Sequence, residues 1–266
     1  MEISIIQALL IGVLSYLGSL SSPWLFGLTG GWYTLSRPLV SGFLIGLILG
    51  DVATGILVGV AVQIVYIALV TPGGQMPQDL NAAAYIGVTL GVLSVKGGAT
   101  IESAVAIATA VGAVGTIFHN FMMMTNSFWN TRALSAIDKG DYKGLMLNHW
   151  IFPQALQFLY RVVPTFAVLY FGQSYATQII EMFPIDSFVM KALTALGGML
   201  PAVGVAILLK QVTKKDIDLV RFLLGFTLIA SLGINMISLA IIGVFLAYSH
   251  FVYSENKTDN SIEEEL

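Results

Sequence analysis

A short polar segment between two apolar stretches carries the side chains best suited to binding a solute. Residues 71–81 read TPGGQMPQDLN, with two prolines, two glycines, two glutamines, one aspartate and one asparagine. Proline removes backbone donors, and glycine lets a backbone approach closely. Carboxylate, carboxamide and freed carbonyl groups suit a neutral polyol, because each hydroxyl both donates and accepts a hydrogen bond. The segment predicts a buried solute-binding loop, with an external turn as the alternative.

Five residues in or near this segment are predicted to bind the solute, and Asp79 and Gln63 are the leading candidates. The full set is Asp79, Gln63, Asn81, Thr71 and Gln75. Ionisable side chains inside apolar runs are costly and are usually paired or functional. Elsewhere in such runs, Arg161 and Lys191 are expected to snorkel or to neutralise a carboxylate. Glu102, His119 and His149 are expected to face a membrane interface.

The apolar run Pro38–Val70 must position Gln63, and its length is unusual. It has 33 residues and a single charge, Asp51. As a helix it would be roughly 50 Å long, against a hydrocarbon core of about 30 Å. This is too long for one crossing and short for two. We predict two helical limbs that meet at a polar tip formed by Gly50 and Asp51, with a possible gating role, covered by protein or a wet cavity.

The composition indicates an all-α, polytopic membrane protein with broken or re-entrant helical hairpins. Hydrophobic residues make up 56% of the chain and charged residues only 10%, whereas soluble domains average about 25% charged residues. Two further tracts are interrupted in the same way. Residues 80–95 and 100–118 flank Lys96-Gly97-Gly98, and each is short for a crossing. Residues 222–253 contain Gly233-Ile234-Asn235. Interrupted segments in both halves are weakly typical of transporter repeats.

The polar segments define the predicted organisation. Residues 1–253 form one membrane domain, in which a polar connector at about 125–150 contains a short amphipathic helix ending near Lys139-Gly140. The basic segments 130–143 and 210–221 are predicted to be cytoplasmic by the positive-inside rule, with two crossings between them. Residues 254–266 contain five acids and one lysine and are predicted to be a disordered, exposed or cytoplasmic tail.

Catalytic and cofactor-binding patterns are missing from the sequence. There is no P-loop, serine triad, zinc-ligand spacing or dinucleotide-binding motif, and the chain has no cysteine and three scattered histidines. Outside the tail, the chain has eleven basic and ten acidic residues, so its charge gives no support to nucleic-acid binding. The residues therefore predict a solute-conducting subunit with no cofactor and no metal, whose energy source lies elsewhere.

Several motifs resemble the IIC subunits of the mannose–fructose–sorbose family of the sugar phosphotransferase system. They are Met1-Glu2-Ile3, Arg37-Pro38-Leu39, Gly46–Asp51 with Thr54-Gly55, the Pro77–Asp79 loop, Gly197–Gly204 and Leu224-Gly225-Phe226. The resemblance extends from residue 1 to about residue 250. The RP…LGD…TG cluster is its most specific part.

The resemblance implies a permease subunit in the bacterial cytoplasmic (inner) membrane. A IID subunit would complete the translocator, and soluble IIA and IIB carriers would bring phosphate from phosphoenolpyruvate to the sugar. It also implies a trimer of IIC–IID pairs and an elevator-like movement. Gln63, Asp79 and Asn81 would fall in the region that contacts sugar, as would the broken hairpin at Asp51.

Two departures from the family pattern bear on the sugar. Gln63 stands where many relatives have an acid, and Gln78 is inserted into a Pro-Asp pair. Residues 71–74 and 200–204 are more similar to the N-acetylgalactosamine and amino-sugar branch, which makes such a sugar the expected substrate, followed by mannose, fructose or sorbose. Two alternatives remain: a stand-alone sugar transporter driven by an ion gradient through Asp51, Asp79 or Glu102, and a structural subunit with no sugar site.

Overall fold

The computed structural model describes residues 3–67, 69, 78–182 and 188–263, and the regular secondary structure of these residues is entirely helical. The all-α prediction is thus confirmed. The chain divides into two compact units, 1–208 and 209–266. Its α-helices are α1 Ile5–Leu17, α2 Pro38–Leu49, α3 Val52–Val65, α4 Leu80–Ala82, α5 Val88–Lys96, α6 Ile101–Asp138, α7 Tyr142–Met146, α8 Phe152–Met182, α9 Phe188–Val212, α10 Asp216–Leu232 and α11 Met236–Glu263. Three π-helical turns lie at Gly31–Leu35, Ala83–Gly87 and Leu147–Ile151.

The predicted broken hairpin is present as helices α2 and α3. Gly50 ends α2 in the left-handed conformation, with φ of 70°. The Asp51 carboxylate then caps α3 by accepting a hydrogen bond from the Thr54 amide at 3.1 Å. At the same tip, the Lys96 ammonium lies 3.8 Å from Asp51 Oδ2 and donates to the Leu49 carbonyl. These contacts account for the break in an otherwise apolar run.

Glycines allow the two limbs of the hairpin to pack backbone against backbone. Gly42 and Gly46 on α2 face Gly55 and Gly59 on α3, and each pair has the four-residue spacing of one helical turn. A Cβ atom on Gly42 would lie 2.4 Å from the Gly55 carbonyl oxygen. Such small-residue surfaces let helices approach closely inside a membrane, where apolar burial adds little driving force.

Gly50→Ala is expected to destabilise the protein by about 1–2 kcal/mol, because a Cβ atom is unfavourable at positive φ. No described atom lies within 4 Å of the Cβ position, so the penalty is conformational and not a clash. Gly50→Asn is the matched control, since asparagine tolerates this conformation better. The two Tm values should differ, with the asparagine variant closer to the wild type. Equal decreases would contradict a conformational role.

The segment after the hairpin corrects two predictions. The break between residues 96 and 100 is present, with Thr100 capping α6 through the Ser103 amide at 3.3 Å. However, α6 does not end near Phe118 but runs 38 residues to Asp138. The expected short helix inside a polar connector is therefore wrong, because residues 125–138 simply continue α6 and contain neither proline nor glycine to stop it. Its predicted end near Lys139-Gly140 is confirmed, and α7 starts at Tyr142.

In the second unit, α10 and α11 form another broken apolar segment. Gly233 ends α10 with φ of 64°, and the Asn235 side chain accepts a hydrogen bond from the Ser238 amide at 2.8 Å. The interruption predicted at residues 233–235 is confirmed. The backbone of α11 is helical to Glu263 and so includes most of residues 254–266, the segment for which the sequence predicts a disordered, exposed tail. Glutamate and lysine are good helix formers, and a helix that already exists propagates readily.

Length and apolarity support membrane insertion of the helices. By length and composition, two helices within the described residues are suited to crossing a membrane: Ile101–Asp138 and Tyr142–Gly172. Five more apolar helices have 10–17 residues. Large apolar side chains are also exposed along whole helix faces, as in α1, where Ile5, Ile6, Leu9, Leu10 and Val13 face outward. Apolar faces of this size fit contact with lipid or another membrane subunit.

Candidate functional site

Asp79 lies in the interior of the first unit, immediately before α4. Its side chain caps that helix, because Oδ1 accepts hydrogen bonds from the Asn81 amide at 3.0 Å and the Ala82 amide at 3.2 Å. The Asp79 amide donates to the Gly112 carbonyl of α6 at 2.9 Å. The residue has no solvent exposure. The local sequence thus places a carboxylate at a helix start, and tertiary packing buries it.

Arg161 of α8 neutralises this carboxylate. Its Nη1 atom lies 2.6 Å from Asp79 Oδ2, and the two side chains are 8% and 1% exposed. Of the two roles expected for Arg161, snorkelling and neutralising a carboxylate, the structure shows the second. Removing two charges from water is costly, and a buried pair is retained only when the geometry and further hydrogen bonds compensate. A pair of this kind inside an apolar body marks a candidate functional site.

Two glycines of α6 allow the start of α4 to reach this position. A Cβ atom on Gly115 would lie 2.5 Å from the Ala82 side chain and 3.0 Å from the Asp79 side chain. A Cβ atom on Gly112 would lie 2.2 Å from the Tyr66 hydroxyl oxygen. Tyr66, at the end of α3, is also within electrostatic range of Asp79. The hairpin α2–α3, α4 and α6 therefore converge on the carboxylate.

Several buried polar atoms, on the helices that carry or approach the ion pair, have no protein hydrogen-bond partner in the described part of the chain. They are both ring nitrogens of His119, both amide atoms of Gln157, Arg161 Nη2 and the Tyr66 hydroxyl. His119 and Gln157 are 3% and 1% exposed. An unpaired buried polar group costs about 1–3 kcal/mol. Natural proteins rarely leave several such groups together, so this cluster indicates a place for a hydrogen-bonding ligand or for water.

A cavity of about 270 Å³ adjoins the ion pair between α6 and α8. Its polar lining includes Asp79, Arg161, Ser15 and Thr165. Its remaining lining is mostly apolar, from Ala82, Ile86, Ala110, Val111, Val114, Phe118, Pro164 and Val168. A site with one polar end and one apolar wall can bind an amphipathic neutral molecule. Among the described residues, no group of three histidine or acidic side chains is arranged to hold a metal ion.

Asn81 is buried close to Asp79, but its amide is already engaged. Nδ2 donates to the Ser15 carbonyl at 2.9 Å and to Ser36 Oγ at 2.7 Å, while Oδ1 accepts from Ser15 Oγ at 2.7 Å. Ser36 in turn donates to the Gly18 carbonyl. This network joins α1, the Gly31–Leu35 turn and α4. The geometry favours a structural role for Asn81.

Asn81→Ala is expected to lower Tm, because three polar groups of Ser15 and Ser36 lose a partner at about 1–3 kcal/mol for each group left unpaired. Binding of a solute by the folded protein should change little. Asn148→Ala is the control, since Asn148 Nδ2 makes one bond, to the Gly144 carbonyl, in a less buried place. Thermal unfolding and ligand titration separate the two effects. A loss of affinity at unchanged Tm would instead make Asn81 a ligand-binding residue.

The other predicted site residues lie in three different situations. Gln63 is one helical turn before Tyr66 on α3, and its buried Oε1 has no hydrogen-bond partner among the described atoms. Gly50 and Asp51 form the hairpin tip, where both have the structural contacts given above. Thr71 and Gln75 fall outside the described residues. The binding roles of all these residues remain predictions.

Sequence reasoning missed most of the polar cluster around the ion pair. His119 was expected at an interface because it precedes a polar stretch, but α6 continues past it and buries it. Gln157 precedes Arg161 by one helical turn, and this four-residue spacing of polar side chains within an apolar helix was an available signal. No sequence feature indicated Tyr66 as a site residue, because tyrosine is common in apolar segments.

Comparison with known proteins gives consistent matches over nearly the whole chain. The family model described as the sorbose-specific IIC component of the phosphotransferase system matches residues 5–249. The fructose permease IIC component of Bacillus subtilis is 28% identical over 79% of this chain and 76% of its own length. The mannose-specific EIIC component of Escherichia coli K12 is 24% identical over 93% and 88%. The N-acetylgalactosamine permease IIC component 1 of the same strain is 23% identical over 96% and 91%.

Two solved structures share the fold. One, described as a membrane protein, has a TM-score of 0.75 and 22% identity, over 94% of this chain and 96% of that chain. The other belongs to a cryo-EM complex of a mannose transporter with microcin E492, with a TM-score of 0.52 and 22% identity over the same shares. Together with the buried polar site in an all-helical membrane body, the family match from residue 5 to residue 249 shows that the chain belongs to the IIC components of the mannose–fructose–sorbose family of sugar phosphotransferase systems.

Proposed function

We propose that this chain binds a sugar at the Asp79–Arg161 site and moves it across the membrane while separate carriers phosphorylate it. As a IIC component it is a multi-pass transport subunit of the inner membrane, and phosphoryl transfer takes place on other subunits. The observation that carries the proposal is the buried ion pair, together with the unpaired buried polar atoms on the same and neighbouring helices. Such groups match a molecule rich in hydroxyls.

The partners follow from the family. A IID subunit would complete the translocator, and IIA and IIB would pass phosphate from phosphoenolpyruvate to the sugar. We propose that residues 1–253 act as one translocator domain and that three IIC–IID pairs form the assembly. Exposed apolar helix faces, such as that of α1, offer surface for a membrane partner. The mass of the purified complex, measured by mass photometry, would test the stoichiometry.

We propose that the sugar is N-acetylgalactosamine or a related amino sugar, ahead of mannose, fructose or sorbose. The apolar wall of the cavity supports this order, because Val111, Val114 and Val168 could contact the methyl group of an acetamido substituent. Unsubstituted hexoses lack such a group. Competition among the four sugars for uptake would establish the order.

An elevator-like movement is the proposed mechanism of transport. The tightly packed α2–α3 limbs make a rigid hairpin, and the sugar-holding part of the protein would move as one body across the membrane. The chain has no cysteine, so single cysteines can be introduced without removing native ones. Thiol labelling from each side, with and without sugar, would report alternating exposure at sites near Asp79. Labelling that is independent of sugar would contradict the mechanism.

Vesicle uptake tests the function itself. Vesicles containing this chain and IID are expected to take up radiolabelled sugar only when phosphoenolpyruvate and the soluble carriers are supplied, and to yield sugar phosphate. Vesicles without IIB are the control. Accumulation of unmodified sugar by this chain alone under an ion gradient would overturn the proposal and favour a stand-alone secondary transporter.

A further inference from the structure

Gln157 and His119 are buried polar side chains of α8 and α6 that the contacts described above leave without a role. Gln157 lies one turn before Arg161 on the buried face of α8, and neither atom of its amide is paired within the described residues. His119 lies on the buried face of α6, within electrostatic range of both Asp79 and Arg161. Both side chains are more than nine-tenths buried.

Aromatic contacts fix the register of the helices that carry these side chains. Phe121 of α6 packs against Tyr160 of α8 with ring centroids 5.8 Å apart, and Trp129 packs against Phe152 at 4.9 Å. The helices are therefore antiparallel here, and His119 lies at about the level of Arg161. Gln157 lies one turn further along. His119 and Gln157 thus lie within about one helical turn of the level of Arg161, which also has an unpaired Nη2 atom.

The chemistry of this group fits a neutral ligand. Asp79 and Arg161 neutralise each other's charge. The unpaired polar atoms therefore need hydrogen bonds from a ligand and not an opposite charge. A glutamine amide and a neutral imidazole each offer both donor and acceptor atoms. A sugar hydroxyl does the same, and adjacent hydroxyls can engage both side chains. Water could satisfy the same atoms, and the experiment below distinguishes the two.

On the basis of the sugar translocation proposed above, we infer that Gln157 and His119 bind individual hydroxyls of the sugar and so determine which sugar is carried. Neither residue was predicted from the sequence as a ligand. Loss of one such side chain should weaken binding of the parent sugar. It should leave unchanged the binding of the analogue that lacks the hydroxyl concerned, because that contact is absent in either case.

The test measures the binding of each variant to the parent sugar and to each of its deoxy analogues. The co-purified IIC–IID complex is titrated with mannose, fructose, sorbose and N-acetylgalactosamine, and then with each monodeoxy form of the sugar that binds. The variants are Gln157→Leu and His119→Phe, with Gln157→Met as a nearly isosteric variant in case leucine impairs folding. We expect Kd for the parent sugar to rise about tenfold, in the range of one lost hydrogen bond. For one deoxy analogue, variant and wild-type Kd should agree within about twofold.

Gln154→Leu is the matched control. It is the same residue type on the same helix, but its amide is engaged with the Tyr16 hydroxyl and the Ser21 carbonyl. It should lower Tm without discriminating among the deoxy sugars. Unchanged parent-sugar affinity in the Gln157 and His119 variants would overturn the inference and indicate that water alone occupies the site. Equal weakening of all analogues with lower Tm would also overturn it, in favour of a structural role. If the wild-type complex binds none of the four sugars, the proposed function fails, and the inference fails with it.

Discussion

Arg161→Gln is expected to lower the free energy of unfolding by about 3–5 kcal/mol, because it leaves the Asp79 carboxylate buried without an opposite charge. The variant that removes the other partner, Asp79→Asn, should lower the free energy of unfolding by a similar amount, because it leaves the Arg161 guanidinium buried without an opposite charge. Both changes remove an ion pair that is 2.6 Å long and nearly inaccessible to solvent. Sugar uptake should be lost in both. Intrinsic tryptophan fluorescence during thermal unfolding of the purified complex measures the stability.

The double variant Asp79→Asn/Arg161→Gln separates folding from function. Asparagine keeps an oxygen that can cap α4 through the Asn81 and Ala82 amides, and the two new amides can bond to each other. Replacement of a buried ion pair by neutral groups is often close to neutral for stability, so Tm should recover most of its value. Sugar binding should stay absent. Recovery of wild-type sugar affinity with the neutral pair would show that the charges serve the fold alone.

Gly42→Ala is the second change with a large expected effect. Its Cβ atom would lie 2.4 Å from the Gly55 carbonyl oxygen and 2.9 Å from the Gly59 Cα, both backbone atoms that cannot rotate away. Overpacking of this kind costs about 1–3 kcal/mol or more and would force α2 and α3 apart. The separation would displace Tyr66, at the end of α3, from its place above Gly112. Uptake should fall together with Tm.

Gly243→Ala in α11 is the control for this glycine. No described atom lies within 4 Å of its Cβ position, so the substitution should be neutral or stabilise the helix by up to about 1 kcal/mol. Equal effects of the two substitutions would contradict the close packing of the hairpin. Wild-type uptake in Gly42→Ala would show that the spacing of α2 and α3 is unimportant for transport.

Local signals explain which parts of the fold could be predicted. The break at Gly50-Asp51 depends on a left-handed glycine and a capping side chain, both encoded within a few residues. The break at residues 233–235 has the same two components. The length of α6 was missed because a change from apolar to polar composition was taken as a helix end. A polar stretch of sequence changes the surroundings of a helix but does not end it. A helix ends where the sequence contains a stop signal such as glycine or proline.

Long-range packing explains why the site was only partly predicted. Asp79 was identified because a carboxylate beside prolines and glycines is unusual in an apolar chain. Its partner Arg161 is 82 residues away, and nothing local distinguishes it from Lys191 as the neutralising cation. His119 and Gln157 become notable only when folding buries them without partners. The hydrogen bonds of the Asn81 amide to Ser15 and Ser36 likewise form only through tertiary contacts.

A cryo-EM map of the IIC–IID complex with its transported sugar tests the central claim most directly. We predict sugar density within hydrogen-bonding distance of Asp79 or Arg161, with hydroxyls reaching His119 and Gln157. Sugar density at a separate place, with the Asp79–Arg161 pair and its unpaired neighbours all out of contact with it, would contradict the account.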